Sequence, residues 1–231
     1  MGIEDNIYRI RENIARAAQS ANRNPDDVTL MAVTKNRTTD EIIQAIRCGI
    51  NVIGENRAQE LIGKYDTLQG MCDIQFIGHL QSNKINQIID KVSMIQSLDS
   101  PRLALALENK AAHLNREVKA LLQINTGAEA SKTGFLFDEV SGFLDEMERY
   151  PHIKICGLMA VLPVDHGKKK ESEAFFDKMF QLFVDMKAKK GDNINMGILS
   201  MGMSNDYELA VAHGANLVRV GSEIFGPRNY I

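Results

Sequence analysis

The 231-residue chain has no tryptophan, five prolines and three cysteines. Cys48, Cys72 and Cys156 stand alone, with no CxxC pair and no metal-type spacing. That excludes zinc-ribbon and thioredoxin-like chemistry and leaves small core-filling thiols in a reducing compartment. The chain also lacks a Pro/Gly/Ser-rich linker, a low-complexity tract or a second composition regime, so residues 1–231 read as one domain. Nothing approaches the roughly 18 consecutive apolar residues of a membrane span. The N-terminus opens on a charged amphipathic segment instead of an apolar signal core, so a cytoplasmic location is expected. Charge of either sign is not in excess: 27 Lys+Arg against 30 Asp+Glu leave −3, which gives no electrostatic case for nucleic acid or a membrane surface.

What is present is an ordinary globular composition, 44% apolar and 25% charged, with a regular alternation of two patterns. Ile3, Ile7, Ile10 and Ile14 recur at helical spacing and predict an amphipathic N-terminal helix ending near Pro25. Short β-branched runs then occur at 28–34, 51–54, 74–77, 94–96, 118–124, 154–159, 195–199 and 217–220. Helical patterns lie between them at 39–48, 82–90, 101–115, 138–150, 171–190 and 204–213. In 171–190 the stripe Phe176, Met179, Phe180 and Phe183 reads as core. Eight strands separated by helices imply parallel βα units, because parallel neighbours need a crossover. An open doubly wound sheet competes with a closed (β/α)₈ TIM barrel. The barrel is favoured because polar residues gather just after the strands, at Lys35, Glu55, Asn56, His79, Ser97, Asn125, Ser200, Arg219 and Ser222, where a barrel would bring them to one face.

Three features carry chemistry. Lys35 ends the first apolar strand, where a desolvated amine can act as a nucleophile. Leu199-Ser-Met-Gly-Met-Ser204 and Val218-Arg-Val-Gly-Ser222 are strands that leave through Gly/Ser turns into helices. Backbone donors in two such adjacent turns suit a phosphate, although each alone is equally an ordinary capped turn. Arg219 lies between Val218 and Val220, and a charge buried there requires a carboxylate, a carbonyl or a ligand acceptor. Together they suit pyridoxal 5′-phosphate: Lys35 as a Schiff base, Ser200 and Gly221-Ser222 on the phosphate, and Arg219 at the ring nitrogen. An arginine there keeps that nitrogen unprotonated and weakens the ring as an electron sink.

The motifs Ala32-Val-Thr-Lys35, Gly54-Glu-Asn-Arg-Ala-Gln-Glu60, Phe76-Ile-Gly-His-Leu-Gln-Ser-Asn-Lys84, Gly157-Leu-Met159, Leu199-Ser-Met-Gly-Met-Ser-Asn-Asp206 and Val218-Arg-Val-Gly-Ser-Glu-Ile-Phe-Gly226 resemble the YggS/PROSC family of pyridoxal phosphate homeostasis proteins over nearly the whole chain. The resemblance implies a single fold-type III barrel with an extra N-terminal helix, similar to the N-terminal domain of alanine racemase. It places the Schiff-base lysine at Lys35 and further contacts near Asn56, Ser200, Met201, Arg219, Gly221 and Ser222. The chain departs from the family pattern at Ile74-Gln75, at Asn36-Arg37, in the loose stretch Asn125-Thr-Gly-Ala-Glu-Ala-Ser-Lys132, and at Ser222, where threonine is frequent.

The implied role is to buffer and deliver the cofactor, with pyridoxal-phosphate-dependent apo-enzymes as recipients. Little turnover is expected, because a racemase needs a second base that related enzymes take from a separate domain, and residue 231 falls about where the barrel closes. Tyr207 and Tyr230 are the tyrosines that could lie near the mouth. A weak amino-acid racemase is the alternative. A Schiff-base aldolase acting on a sugar phosphate is a third reading, which leaves Arg219 without a task. A monomer is expected.

Overall fold

The computed structural model describes residues 2–125, 133–162 and 169–227. Eight parallel strands close into a barrel in chain order: β1 Thr29–Val33, β2 Val52–Glu55, β3 Asp73–Phe76, β4 Met94–Leu98, β5 Val118–Ile124, β6 Ile153–Ala160, β7 Ile194–Ser200 and β8 Leu217–Val220. β8 pairs back onto β1, with Met31 opposite Arg219 and Ala32 opposite Val220. Every predicted strand is present, and the open-sheet alternative is excluded by the closure.

The helices among the described residues are α1 Ile3–Ser20, α2 Thr39–Arg47, α3 Ala58–Leu68, α4 Ile85–Ile88, α5 Pro101–His113, α6 Glu139–Asp145, α7 Lys169–Met186, α8 Tyr207–Ala212 and α9 Ser222–Phe225. Local sequence sets their starts. Thr38 and Glu41 form a reciprocal capping box on α2. Ser100 accepts from Leu103 N–H ahead of Pro101 at the start of α5. α1 buries Ile7, Ile10 and Ile14 of the predicted stripe together with Ala18, while Ile3 is half-buried against the same core. The helix expected over 82–90 is a 3₁₀ turn followed by α4, and the one over 138–150 is α6 followed by a 3₁₀ turn at Met147–Arg149. On α7, Phe176, Met179 and Phe183 are buried, but Phe180 is exposed, with its ring lying over Gly214 at the edge of the stripe.

Strand alternation separates two cores. The outer one, between barrel and helices, holds Leu30, Ala32, Ile53, Ile74, Phe76, Ile95, Val218 and Val220. A fully buried aliphatic or aromatic side chain there contributes about 1.5–3 kcal/mol relative to exposure. The inner apolar core is small: Met94, Leu121, Cys156 and Met159. Cys156 is thus the expected core filler, whereas Cys48 and Cys72 are half-buried against the outer layer. β6 and β7 shift register between Ile155 and Gly157. Gly157 has φ +151, and a Cβ there would sit 1.8 Å from the Ile198 carbonyl oxygen, so only glycine fits.

Candidate functional site at the barrel mouth

Lys35 follows β1 by two residues and shares its parity with Met31 and Val33, the inward face, whereas Thr34 shares the outward parity of Ala32. The backbone on both sides of Lys35 is fixed. The Lys64 ammonium, on α3, donates to the Thr34 carbonyl at 2.8 Å and to Glu55 Oε1 at 2.8 Å, and the Thr34 hydroxyl donates to the same Oε1 at 2.6 Å. Asn36 N–H donates to Glu60 Oε2 at 2.7 Å, and Asn36 itself takes the left-handed conformation at φ +58. Arg37 donates to the carbonyls of Phe225 and Gly226, tying this loop to the end of α9. Glu55, expected at the mouth, is instead turned outward to α3, because its parity is that of Ile53.

Arg219 is buried on the inward face of β8. Its Nη1 donates to Ser200 Oγ at 2.6 Å and its Nη2 to the Ala160 carbonyl at 2.7 Å. Among the described residues no carboxylate lies in ion-pair contact with it. Burial lowers its pKa to about 10, partly opposed by the charge of Asp206. The Ser200 hydroxyl donates in turn to Gln96 Oε1 at 2.7 Å, and Gln96 Nε2 donates to Gln75 Oε1 at 2.7 Å. The upper barrel is therefore filled by a polar chain across β8, β7, β4 and β3.

The two glycine turns lie side by side, since Gly221 N–H donates to Ser204 Oγ at 3.3 Å. Gly221 approaches Val33 closely; a Cβ there would lie 3.2 Å from both the Val33 Cβ and its carbonyl oxygen. Ser222 is exposed at the start of α9. Met201 is buried in the outer apolar core, and its N–H is given to the Leu217 carbonyl at 3.2 Å, so its side chain does not reach the barrel interior. Met203 N–H donates to Asp206 Oδ1 at 2.5 Å; burial raises the Asp206 pKa, opposed by that bond and by Arg219. Asn56, of inward parity after β2, has a buried Oδ1 with no hydrogen-bond partner among the described residues. Gly78 is packed so tightly on the Asn56 backbone that a Cβ would meet its carbonyl oxygen at 2.0 Å. This contact holds the β3 loop, with His79, beside the β2 loop; His79 Nδ1 lies 3.1 Å from buried Asp99 Oδ2.

The barrel thus brings the turns after β1, β2, β7 and β8 to one end, with Lys35, Asn56, Gly221 and Ser222 among them, while Arg219 lies buried within β8. Ser200 is on the same side but turned inward. Gln96 and Lys64 were not singled out from sequence, Gln75 was noted only as a departure from the family pattern, and Glu60 only as the end of a motif. For Gln96, the only signal was an inward parity occupied by an amide instead of an aliphatic side chain. Of the stretch 125–132, Glu129, Ser131 and Lys132 lie outside the described residues, as does Tyr230. Tyr207 is buried at the start of α8, and its hydroxyl accepts from Asn13 on α1 at 2.8 Å; burial raises its pKa to about 12.

A closed (β/α)₈ barrel with a lysine after β1 and a buried arginine on β8 is of the class described as "Alanine racemase, N-terminal domain", whose family model matches residues 6–229. Solved alanine racemases share the fold: that of Corynebacterium glutamicum superposes with a TM-score of 0.69 at 16% identity, over 100% of this chain and 64% of that one. Closer likeness lies with smaller proteins. PipY of Synechococcus elongatus, solved with pyridoxal phosphate bound, has a TM-score of 0.83 and 31% identity, covering 97% of this chain and 100% of its own. The pyridoxal phosphate homeostasis protein of Haemophilus influenzae is 35% identical over 233 residues, 100% of this chain and 98% of its own. The chain belongs to the pyridoxal phosphate homeostasis protein family.

Proposed function

We propose that this protein binds pyridoxal 5′-phosphate at the barrel mouth through Lys35 and serves to buffer and hand over the cofactor, with little or no turnover of its own. The observation that carries the reading is Arg219: among the described residues, a buried guanidinium held by a hydroxyl and a carbonyl, on the strand paired with the one that leads into Lys35. A buried cation without a carboxylate is costly, and a ring-nitrogen acceptor gives its remaining N–H groups a partner. The residues present fit the group. Asn56 presents a buried oxygen unpartnered among the described residues, and Ser222 stands exposed at the second turn, at the start of α9.

When bound, pyridoxal phosphate supplies an aldehyde that amines capture and a conjugated ring that withdraws electrons. Lys35 would hold it covalently, with its backbone fixed on either side by Lys64 and Glu60. Arg219 would donate to the ring nitrogen and, always protonated, would never pass a proton to it. The turns beginning at Ser200-Met201 and Gly221-Ser222 would take the phosphate, and Asn56 would orient the ring. The racemase alternative loses a candidate base, since the Tyr207 hydroxyl is bonded to α1. The name carried by the Haemophilus influenzae relative supports homeostasis over catalysis.

The test is the visible spectrum of the protein mixed with pyridoxal phosphate, followed by borohydride reduction and peptide mapping. The reading expects a band that Lys35→Ala abolishes and a reduced adduct at Lys35. An adduct mapped to another lysine, or none, would overturn it.

A further inference from the structure

The chain of side chains inside the barrel runs in one direction. Arg219 can only donate, so Ser200 accepts from it at 2.6 Å. Ser200 passes its own proton to Gln96 Oε1 at 2.7 Å, and Gln96 donates from Nε2 to Gln75 Oε1 at 2.7 Å. Gln75, Gln96, Ser200 and Arg219 are all buried, and Ser200 and Gln96 are wholly inaccessible. In a parallel barrel their inward positions would ordinarily carry branched aliphatic side chains, which pack without polar atoms to satisfy. An amide pair here is a liability unless both members are bonded, and a connected chain polarises each of its links.

We infer that Gln75 and Gln96 are positioning residues for Arg219, acting through Ser200. They commit the serine hydroxyl proton away from the guanidinium, so that a lone pair faces Nη1 and fixes the rotamer from which the remaining N–H groups address the ring nitrogen. Two things follow. The hydroxyl of Ser200 is directed into the barrel and not to the phosphate, so the first glycine turn serves the phosphate through its backbone. The departure from the family pattern at Ile74-Gln75 acquires a task, since Gln75 is the terminal acceptor of the chain. This inference rests on the cofactor-binding reading for its consequence, but the geometry it invokes belongs to the unliganded protein.

The experiment compares Gln96→Met, Gln75→Met and Gln75→Glu with wild type. Methionine keeps the length and volume of glutamine without its hydrogen bonds, whereas Gln75→Glu retains the acceptor oxygen that Gln96 Nε2 needs. Two readouts are taken: ¹⁵N–¹H spectra of the arginine side chains in unliganded protein, and spectroscopic titration with pyridoxal phosphate. Loss of one bond in a charge-assisted chain should raise the dissociation constant about tenfold for either methionine variant, while the Lys35-dependent band persists. The Arg219 side-chain signals should lose their protection from exchange, and Gln75→Glu should restore both. Wild-type Arg219 signals together with a wild-type dissociation constant in Gln96→Met would sink the inference. If that variant does not fold, equal values for Gln75→Met and Gln75→Glu sink it, and separation of the two supports it. A wild-type protein that shows no Lys35-dependent band overturns the functional reading instead, and the arginine spectra still decide the positioning claim.

Discussion

The Lys64 ammonium donates to the Thr34 carbonyl at 2.8 Å and so grips the peptide bond that leads into Lys35. The same ammonium reaches Glu55 Oε1 at 2.8 Å, and Glu55 is buried. One helix, α3, therefore sets the exit of β1.

Lys64→Met should leave the Glu55 carboxylate buried without its cation. Breaking such a pair destabilises by about 3 kcal/mol, the lower end of the range for buried pairs because Lys64 is not fully enclosed. Urea unfolding measures this, and the double variant Lys64→Met/Glu55→Gln should recover most of the loss. A double variant no more stable than the single one would show that the carboxylate is not the cause.

Arg219→Met should act in opposite directions on stability and on binding. Burial has already pushed the guanidinium to about 10 without an ion-pair partner among the described residues, so removing the charge should stabilise the unliganded protein by about 1 kcal/mol. Binding of pyridoxal phosphate should weaken at least about tenfold, because the donor to the ring nitrogen is gone. Urea midpoints and the visible titration report the two effects separately.

Gly157→Ala should be among the most damaging single-methyl additions available in the molecule. The new Cβ would lie 1.8 Å from the Ile198 carbonyl oxygen, at a φ that L side chains rarely adopt, and the expected loss exceeds about 4 kcal/mol. Gly142 on α6 is the control: nothing lies within 4 Å of a Cβ there, so Gly142→Ala should stabilise by about 0.5–1 kcal/mol. Denaturant midpoints that move together would refute the strand-contact argument.

Asp206 makes stability depend on pH in a stated direction. Burial raises its folded pKa above the ordinary 3.8, so between those two values the unfolded chain has lost a proton that the folded one keeps. Stability present below pH 3.8 is therefore lost as pH rises through the raised value. Asp206→Asn, which keeps an acceptor for Met203 N–H, lacks this component. The variant should gain on wild type as pH rises from 3.8 towards neutrality, as read from paired urea titrations, and a constant difference across that range would contradict the assignment.

The barrel was legible because helical stripes fall in six of the seven gaps between eight β-branched runs, and because polar residues cluster after the runs. α3 was less legible: it buries only Ala58, Leu61 and Leu68, with Gly63 in its middle, so its apolar face is narrow in sequence. Phe180 was assigned to the core from a spacing that cannot distinguish the centre of a stripe from its edge. At the site, Lys35 and Arg219 announced themselves as charges at the ends or interiors of apolar strands. Ser200 was legible as a turn residue but not as an inward one, because its role depends on Gln96, 104 positions away in the chain. Strand parity counted from the outer core would have turned Glu55 outward and Gln75 inward.

The docking of α1 has a consequence for how the molecule is assembled. Its Asn6 bonds the Ile224 carbonyl, 218 positions along the chain, and its Asn13 bonds Tyr207, 194 positions along. A segment that leaves the ribosome ahead of the barrel can pack early on α2, through Arg11 and the Gly49 carbonyl, but forms its bonds to α8 and α9 only after those last elements have emerged. Such distant pairings slow folding, and they make the final closure a single late event in which both extremities of the described chain lock together.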